Sequence, residues 1–237
     1  VNIINRNSSV QTVIRLANTI DLQPGSEDIV AVQLMNQILG GGSMGRLFQN
    51  IREDKAYTYG AYSQYDSDEL VGSFSANASV RNEVTDSSVV EFIKEFKRLQ
   101  TEKVSEQELQ DAKNNIIGSF GRNLERPQTI ASFALNIARY NLPEDYYKTY
   151  LQRLGAVSAD DIMAASKKYI NSDALIITAV GKAADIASKL EQFGEVKYYD
   201  FNGLETGAPS LPVPAGVTAE SVINGYINAI GGQENLA

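Results

Sequence analysis

The sequence predicts an α+β domain, with a mostly antiparallel sheet of about five to six strands covered by helices. Three observations lead there. Apolar and polar residues alternate at Val10–Asn18, Ala56–Asp66 and Leu70–Val80. From Thr85 to Tyr169 the apolar spacing becomes helical, and two more strand-like stretches follow, Ala174–Val180 and Glu195–Asp200. The resulting order, β-α-α-β-β, a helical block, then β-α-β, separates strands from helices instead of alternating them.

Each element has a local reason. Residues 1–8 are polar and read as a linker or fraying end. In VQTVIRLAN the residues Val10, Thr12, Ile14 and Leu16 share one side of a strand, which Pro24-Gly25 ends. Ser26 is placed to cap a helix that carries Ile29, Val32, Met35, Ile38 and Leu39 at helical spacing. That helix stops at Gly40-Gly41-Gly42, where one glycine is expected to supply a left-handed C-cap. Ser43 opens a second, short helix to about Asp54, with Leu47 and Ile51 inward. In the strand after it, Tyr57, Tyr59, Ala61 and Ser63 fall on one face and Thr58, Gly60 and Tyr62 on the other. A turn at Asp66-Ser67-Asp68 joins this strand to Leu70–Val80 as an antiparallel pair.

The helical block is punctuated by caps. Thr85 opens a segment with Phe92, Phe96 and Leu99 as a core stripe, and Ser105 with Glu108 forms a capping box for a helix to about Leu124. Pro127 and Pro143 each suit a first helical turn, and Ser158 with Asp161 opens a helix ending near Tyr169. A helix from Ala183 to Phe193 links the last two strands. Residues 1–205 therefore read as one domain. From 206 to 237 the composition shifts to Gly207, Pro209, Pro212, Pro214 and Gly216, a linker, followed by a helix over Ala219–Ile230 that Gly231-Gly232 ends. This tail reads as the start of a following segment, and Val1 in place of Met as a processed or excised chain.

Composition narrows the chemistry mainly by exclusion. At 237 residues, with 43% hydrophobic and 21% charged, the chain can bury a sizeable core. A net charge of −8 argues against nucleic acid or an anionic membrane surface as partner. No apolar run approaches the roughly 18 residues of a transmembrane segment. The absence of Cys removes disulfides and thiolate nucleophiles, and leaves the compartment open. The Asn/Ser-rich strands of an acidic chain fit a bacterial periplasmic or envelope protein. The absence of His removes the Ser-His-Asp triad and the common catalytic zinc sites. Glu106, Glu108 and Asp111 lie on one helix and read as a solvated face.

One stretch, Gly40 to Tyr65, concentrates groups able to act on a substrate. Arg52 and Tyr59 lie seven residues apart across a helix-to-strand turn, which brings a permanent cation and a phenol donor to one sheet edge. Simpler roles stand beside this one: Arg52 complements a helix C-terminus or pairs with Glu53 or Asp54, and the tyrosines pack across strands. Spacing alone does not choose between Tyr57 and Tyr59.

From Leu39 to Tyr59 the run LGGGSMGRLFQNIREDKAYTY resembles the signature of the C-terminal-type domain of the M16 (pitrilysin-like) zinc metallopeptidases. The family includes insulin-degrading enzyme, the mitochondrial processing peptidases and the core proteins of the respiratory bc1 complex. The element order suits that domain over residues 1–205. The resemblance implies a LuxS/MPP-like metallohydrolase fold, arranged in the family as a clamshell of homologous halves. One half carries zinc on a His-x-x-Glu-His motif; the other supplies an arginine and, seven residues on, a tyrosine. Those two positions match Arg52 and Tyr59. His-x-x-Glu-His is absent here, so the resemblance implies no metal in this chain, zinc on a partner domain or subunit, and no peptide cleavage unaided. It further implies an extended peptide as substrate, with Gly40, Gly41, Gly42 and Tyr57 along its path. The alternative within the family is a catalytically inactive subunit kept for assembly.

Overall fold

The computed structural model describes residues 1–209 and 216–231. Pro212 and Pro214 of the predicted linker and Gly232 of the predicted helix stop lie outside the described residues. Two compact units are present, Val1–Gly207 and Ala208–Ala237.

The first unit runs β1 (Asn2–Asn5), β2 (Gln11–Ile20), α1 (Ile29–Gly40), a π-helical turn (Phe48–Asp54), β3 (Thr58–Asp66) and β4 (Gly72–Arg81). Then follow α2 (Thr85–Thr101), α3 (Glu106–Leu124), α4 (Pro127–Arg139), α5 (Tyr150–Ala156) and α6 (Ala159–Tyr169). β5 (Ile176–Gly181), α7 (Ala183–Leu190), β6 (Lys197–Tyr199) and β7 (Glu205–Thr206) close it. The strands form one seven-stranded sheet in the order β3-β4-β2-β5-β1-β6-β7. The second unit holds α8 (Ala219–Ala229), capped reciprocally by Thr218 and Ser221 and followed by Gly231 at a φ of 103°.

The expectation of an α+β fold with a mostly antiparallel sheet stands: four strand pairings are antiparallel and two parallel, and the described residues hold seven strands instead of five to six. The additional strands are β1 and β7, and β1 makes both parallel pairings. Residues expected to fray form a strand parallel to both β5 and β6. Four residues are too few to show a period, yet Ile3 is fully buried between its neighbours. The end is also tied down: the Val1 ammonium donates to the Glu195 carbonyl at 2.8 Å, and Asn5 Oδ1 accepts from the Ala183 amide at 3.0 Å, capping α7.

At the centre β2 and β4 pair antiparallel through ten consecutive positions, Gln11 opposite Arg81 to Ile20 opposite Gly72. Alternation then sorts the faces. Thr12, Ile14 and Leu16 of β2 and Phe74, Ala76, Ala78 and Val80 of β4 are buried beneath the helices, whereas Val13, Arg15, Asn77 and Ser79 are exposed. Val10, expected on the buried side, precedes the ladder and is exposed. α2 lies over β2 and β4, α1 over β3, and α7 against β1. The predicted Phe92, Phe96 and Leu99 stripe is fully buried, and Phe96 meets Phe74 edge-on at 5.5 Å.

Several local expectations change. Gly41 ends α1 at a φ of −73°, so no left-handed glycine caps it. The left-handed glycine of this region is Gly25, at 87°, in the Pro24-Gly25 turn. After Pro143 the chain forms turns, and helix begins only at Tyr150. Ser105 accepts from the Glu108 amide at 3.2 Å, but the Glu108 carboxylate does not complete a capping box. It takes a bidentate bond from Arg46 instead, at 2.7 and 2.8 Å, and so ties the loop after α1 to α3. Among the described residues no helix is long and apolar enough to cross a membrane.

The start of α1 is anchored to α6 by a carboxylate. Asp28 Oδ2 accepts from Lys168 Nζ at 2.6 Å and from Tyr169 Oη at 2.7 Å. The Lys168 and Tyr169 hydrogen bonds hold the Asp28 carboxyl below its ordinary pKa, against a smaller opposing effect of burial. A carboxyl depressed in the folded state contributes stability above its unfolded pKa, and that contribution fades as pH falls through the folded pKa. Asp28→Asn is therefore expected to lower stability at pH 7 by about 1 kcal/mol or less, since both partners are partly exposed. Urea titrations should show the gap between the two proteins closing as pH falls below about 4.

Candidate functional site

The predicted pair sits where the π-helical turn feeds the edge strand β3. Leu47 and Ile51 are fully buried and fix the inner side of the turn. Asn50 pins it to α2, with Nδ2 donating to Glu95 Oε1 at 2.7 Å and to Glu91 Oε2 at 2.9 Å. Burial pushes the Glu91 carboxyl up, but the Asn50 bond with the Lys94 and Lys55 cations brings it below its ordinary pKa. The widened turn shows in the bond from the Lys55 amide to the Asn50 carbonyl, five residues back, at 3.0 Å.

Two irregularities then re-aim the chain. Ala56 has a φ of 52°, a left-handed conformation costing a residue with a Cβ roughly 1–2 kcal/mol. Next, the β3–β4 register shifts between Thr58 and Ala61, a β-bulge. The bulge corrects the expectation that Tyr57, Tyr59, Ala61 and Ser63 share a face. Ala61 and Ser63 are buried, Tyr57 packs half-buried against the core, and Tyr59 is 86% exposed. The structure thus separates the two tyrosines that spacing could not.

Arg52, Tyr57 and Tyr59 line one surface concavity of about 430 Å³, together with Glu53, Thr58 and Arg81. The Arg52 guanidinium lies 4.9 Å from the centre of the Phe48 ring and pairs through Nη1 with the Glu53 carboxylate. Two guanidiniums against one carboxylate make this a locally cationic spot on a chain of net charge −8. An arginine and an exposed phenol on one concave surface can donate hydrogen bonds to a substrate carbonyl or to charge developing on it.

Gly40, Gly41 and Gly42 do not line this concavity. Gly40 is buried behind β3, where a Cβ would come within 2.5 Å of the Ser63 amide nitrogen, and a Cβ on Gly45 would come within 2.9 Å of Gly40 Cα. These contacts give the first glycine of the run a packing role, letting α1, the following loop and β3 approach closely. A Cβ on Gly42 would meet nothing within 4 Å.

Arg81 and Thr58 carry no signal in the sequence. No local pattern marks them, because what places Arg81 against Ala56 is the pairing of β4 with β2 and β3. A larger concavity, about 530 Å³, lies at the N-terminus of α1, but Asp28 and Lys168 in its wall are bonded to each other. Zinc does not fit this chain's own residues: it has neither His nor Cys, and among the described residues no cluster of three or more carboxylates is placed to hold a metal.

Residues 3–116 match the family model described as the peptidase M16 inactive domain, a span that includes the whole site. Over that span the chain is similar to the M16 peptidase inactive domain. Two zinc proteases are its curated relatives. YmxG of Bacillus subtilis strain 168 is 30% identical over 107 residues, 44% of this chain and 25% of that protein. A protein of Rickettsia felis is 30% identical over 152 residues, 62% of this chain and 35% of that protein. The chain thus spans about a quarter to a third of the length of the curated relatives it matches. Its structure is similar to the peptidase M16 inactive domain of Pseudomonas fluorescens, with a TM-score of 0.69 and 29% identity over 76% of this chain and 43% of that one. A protease of Helicobacter pylori shares the fold at a TM-score of 0.69 and 17% identity, again over 76% and 43%.

Proposed function

We propose that this M16 domain is the metal-free half of a zinc endopeptidase and lends Arg52 and Tyr59 to a site whose metal belongs to a partner domain or subunit. The observation that supports it is the shared concavity: an inactive-type domain holds a guanidinium and an exposed phenol side by side on an open surface. The metal on the partner supplies the activated water. The residues of this chain act on the carbonyl oxygen, where negative charge grows as the peptide bond is attacked. Arg52 offers the donors that Glu53 leaves free, and Tyr59 offers one O–H. Both groups are positioned before substrate arrives, so little reorganisation accompanies the reaction. Tyr57 forms a wall for the extended peptide.

Reconstitution tests this reading. The chain is mixed with a zinc-bearing M16 half and cleavage of an extended peptide is followed. Cleavage is expected from the mixture and from neither part alone, and Arg52→Ala is expected to lower turnover without weakening association of the halves. Association with no dependence of cleavage on Arg52 would instead assign the chain an assembly role.

A further inference from the structure

The bend between Arg52 and Tyr59 combines a left-handed alanine and a bulge, two features that do not hold themselves in place. Both are gripped from the same end of β4. Arg81 Nη1 donates to the Ala56 carbonyl at 2.6 Å. Thr58 Oγ1 donates to the Ser79 carbonyl at 2.7 Å and accepts from the Gly60 amide at 3.1 Å, spanning the bulge. The strand that supplies these grips is a firm base, paired residue for residue with β2 up to Arg81 itself. Outside the β3–β4 ladder, backbone ties of the bend run back to the π-helical turn, from the Ala56 amide to the Arg52 carbonyl and from the Tyr57 amide to the Ile51 carbonyl, both at 3.0 Å. Beyond the ladder pairing of Thr58 with Val80, the Arg81 and Thr58 side-chain bonds connect it to β4.

We infer that Arg81 and Thr58 are positioning residues, a two-point clamp from β4 that sets the orientation of Tyr59 relative to Arg52. Arg81 acts through the Ala56 carbonyl and Thr58 through the bulge; neither is assigned to the reacting carbonyl. An arginine suits the first position because its rigid fork can hold a backbone oxygen while its stem lies along the strand. The consequence for catalysis rests on the function proposed above, whereas the clamp itself is a property of this chain alone.

Amide hydrogen exchange of the full chain and peptide cleavage by the reconstituted enzyme separate the two. Arg81→Met and Thr58→Val are each expected to speed exchange of the Tyr57 and Gly60 amides by about tenfold, the scale of one lost hydrogen bond, with the β2–β4 ladder unchanged. In the reconstituted enzyme each is expected to lower kcat about tenfold with KM within about twofold, and Arg81→Lys to recover part of the loss. Unchanged exchange in both variants would overturn the clamp whatever the cleavage rates. So would a raised KM at constant kcat in Arg81→Met, which would make Arg81 a substrate contact. Faster exchange, with Arg52→Ala and Tyr59→Phe still cleaving at the wild-type rate, would uphold the clamp and overturn the catalytic reading.

Discussion

Tyr59→Phe in the reconstituted peptidase is expected to lower kcat by about 10²-fold, the scale of removing one preorganised donor from developing charge. The substitution deletes one oxygen from a ring that is 86% exposed, so the fold should be indifferent to it. KM should stay near its wild-type value, because a donor used chiefly in the transition state contributes little to holding the ground state. Tyr57→Phe is the matched control. That ring is half-buried against the core, and its role as a wall does not call for a donor. Steady-state kinetics on both variants decide the assignment: equal losses would remove the distinction between the two tyrosines, and full activity of Tyr59→Phe would remove its catalytic role.

Phe96→Ala is expected to destabilise the domain by about 3–5 kcal/mol, the range for truncating a fully buried aromatic. Phe96 sits between Phe74 of β4, at 5.5 Å, and Phe92 of its own helix, at 6.2 Å, so its removal opens a cavity between sheet and helix layer. The edge-on pair with Phe74 accounts for roughly 0.5–1.5 kcal/mol of that loss beyond the buried area. Val90→Ala on the same helix, where the side chain is 45% exposed, should stay within about 0.5 kcal/mol. Equilibrium urea unfolding of the two variants measures the contrast. A small loss for Phe96→Ala would mean that the layers collapse onto the missing ring instead of leaving a void.

Strong local signals carried most of the fold. α3 and α6 start at the predicted capping residues Ser105 and Ser158, because a hydroxyl that satisfies a free amide acts within one turn and is visible in a few letters, whereas Thr85 opens α2 without capping it. Long alternating stretches located β2, β3 and β4 for a similar reason. Four residues of β1, two of β7 and the turns after Pro143 left no comparable trace. Their structure comes from partners elsewhere in the chain, so their local sequence reads as loop or helix.

The order of residues alone carries the M16-like motif, excludes an imidazole- or thiolate-based site, and sets Arg52 and Tyr59 seven residues apart. Folding is what turns Tyr59 outward while Tyr57 packs inward, and what brings Arg81 and Thr58 to grip the bend between Arg52 and Tyr59. The difference is one of range. Side-chain alternation is a property of a regular strand, but a left-handed residue and a bulge break that regularity, and both are held here by hydrogen bonds from residues about twenty positions away.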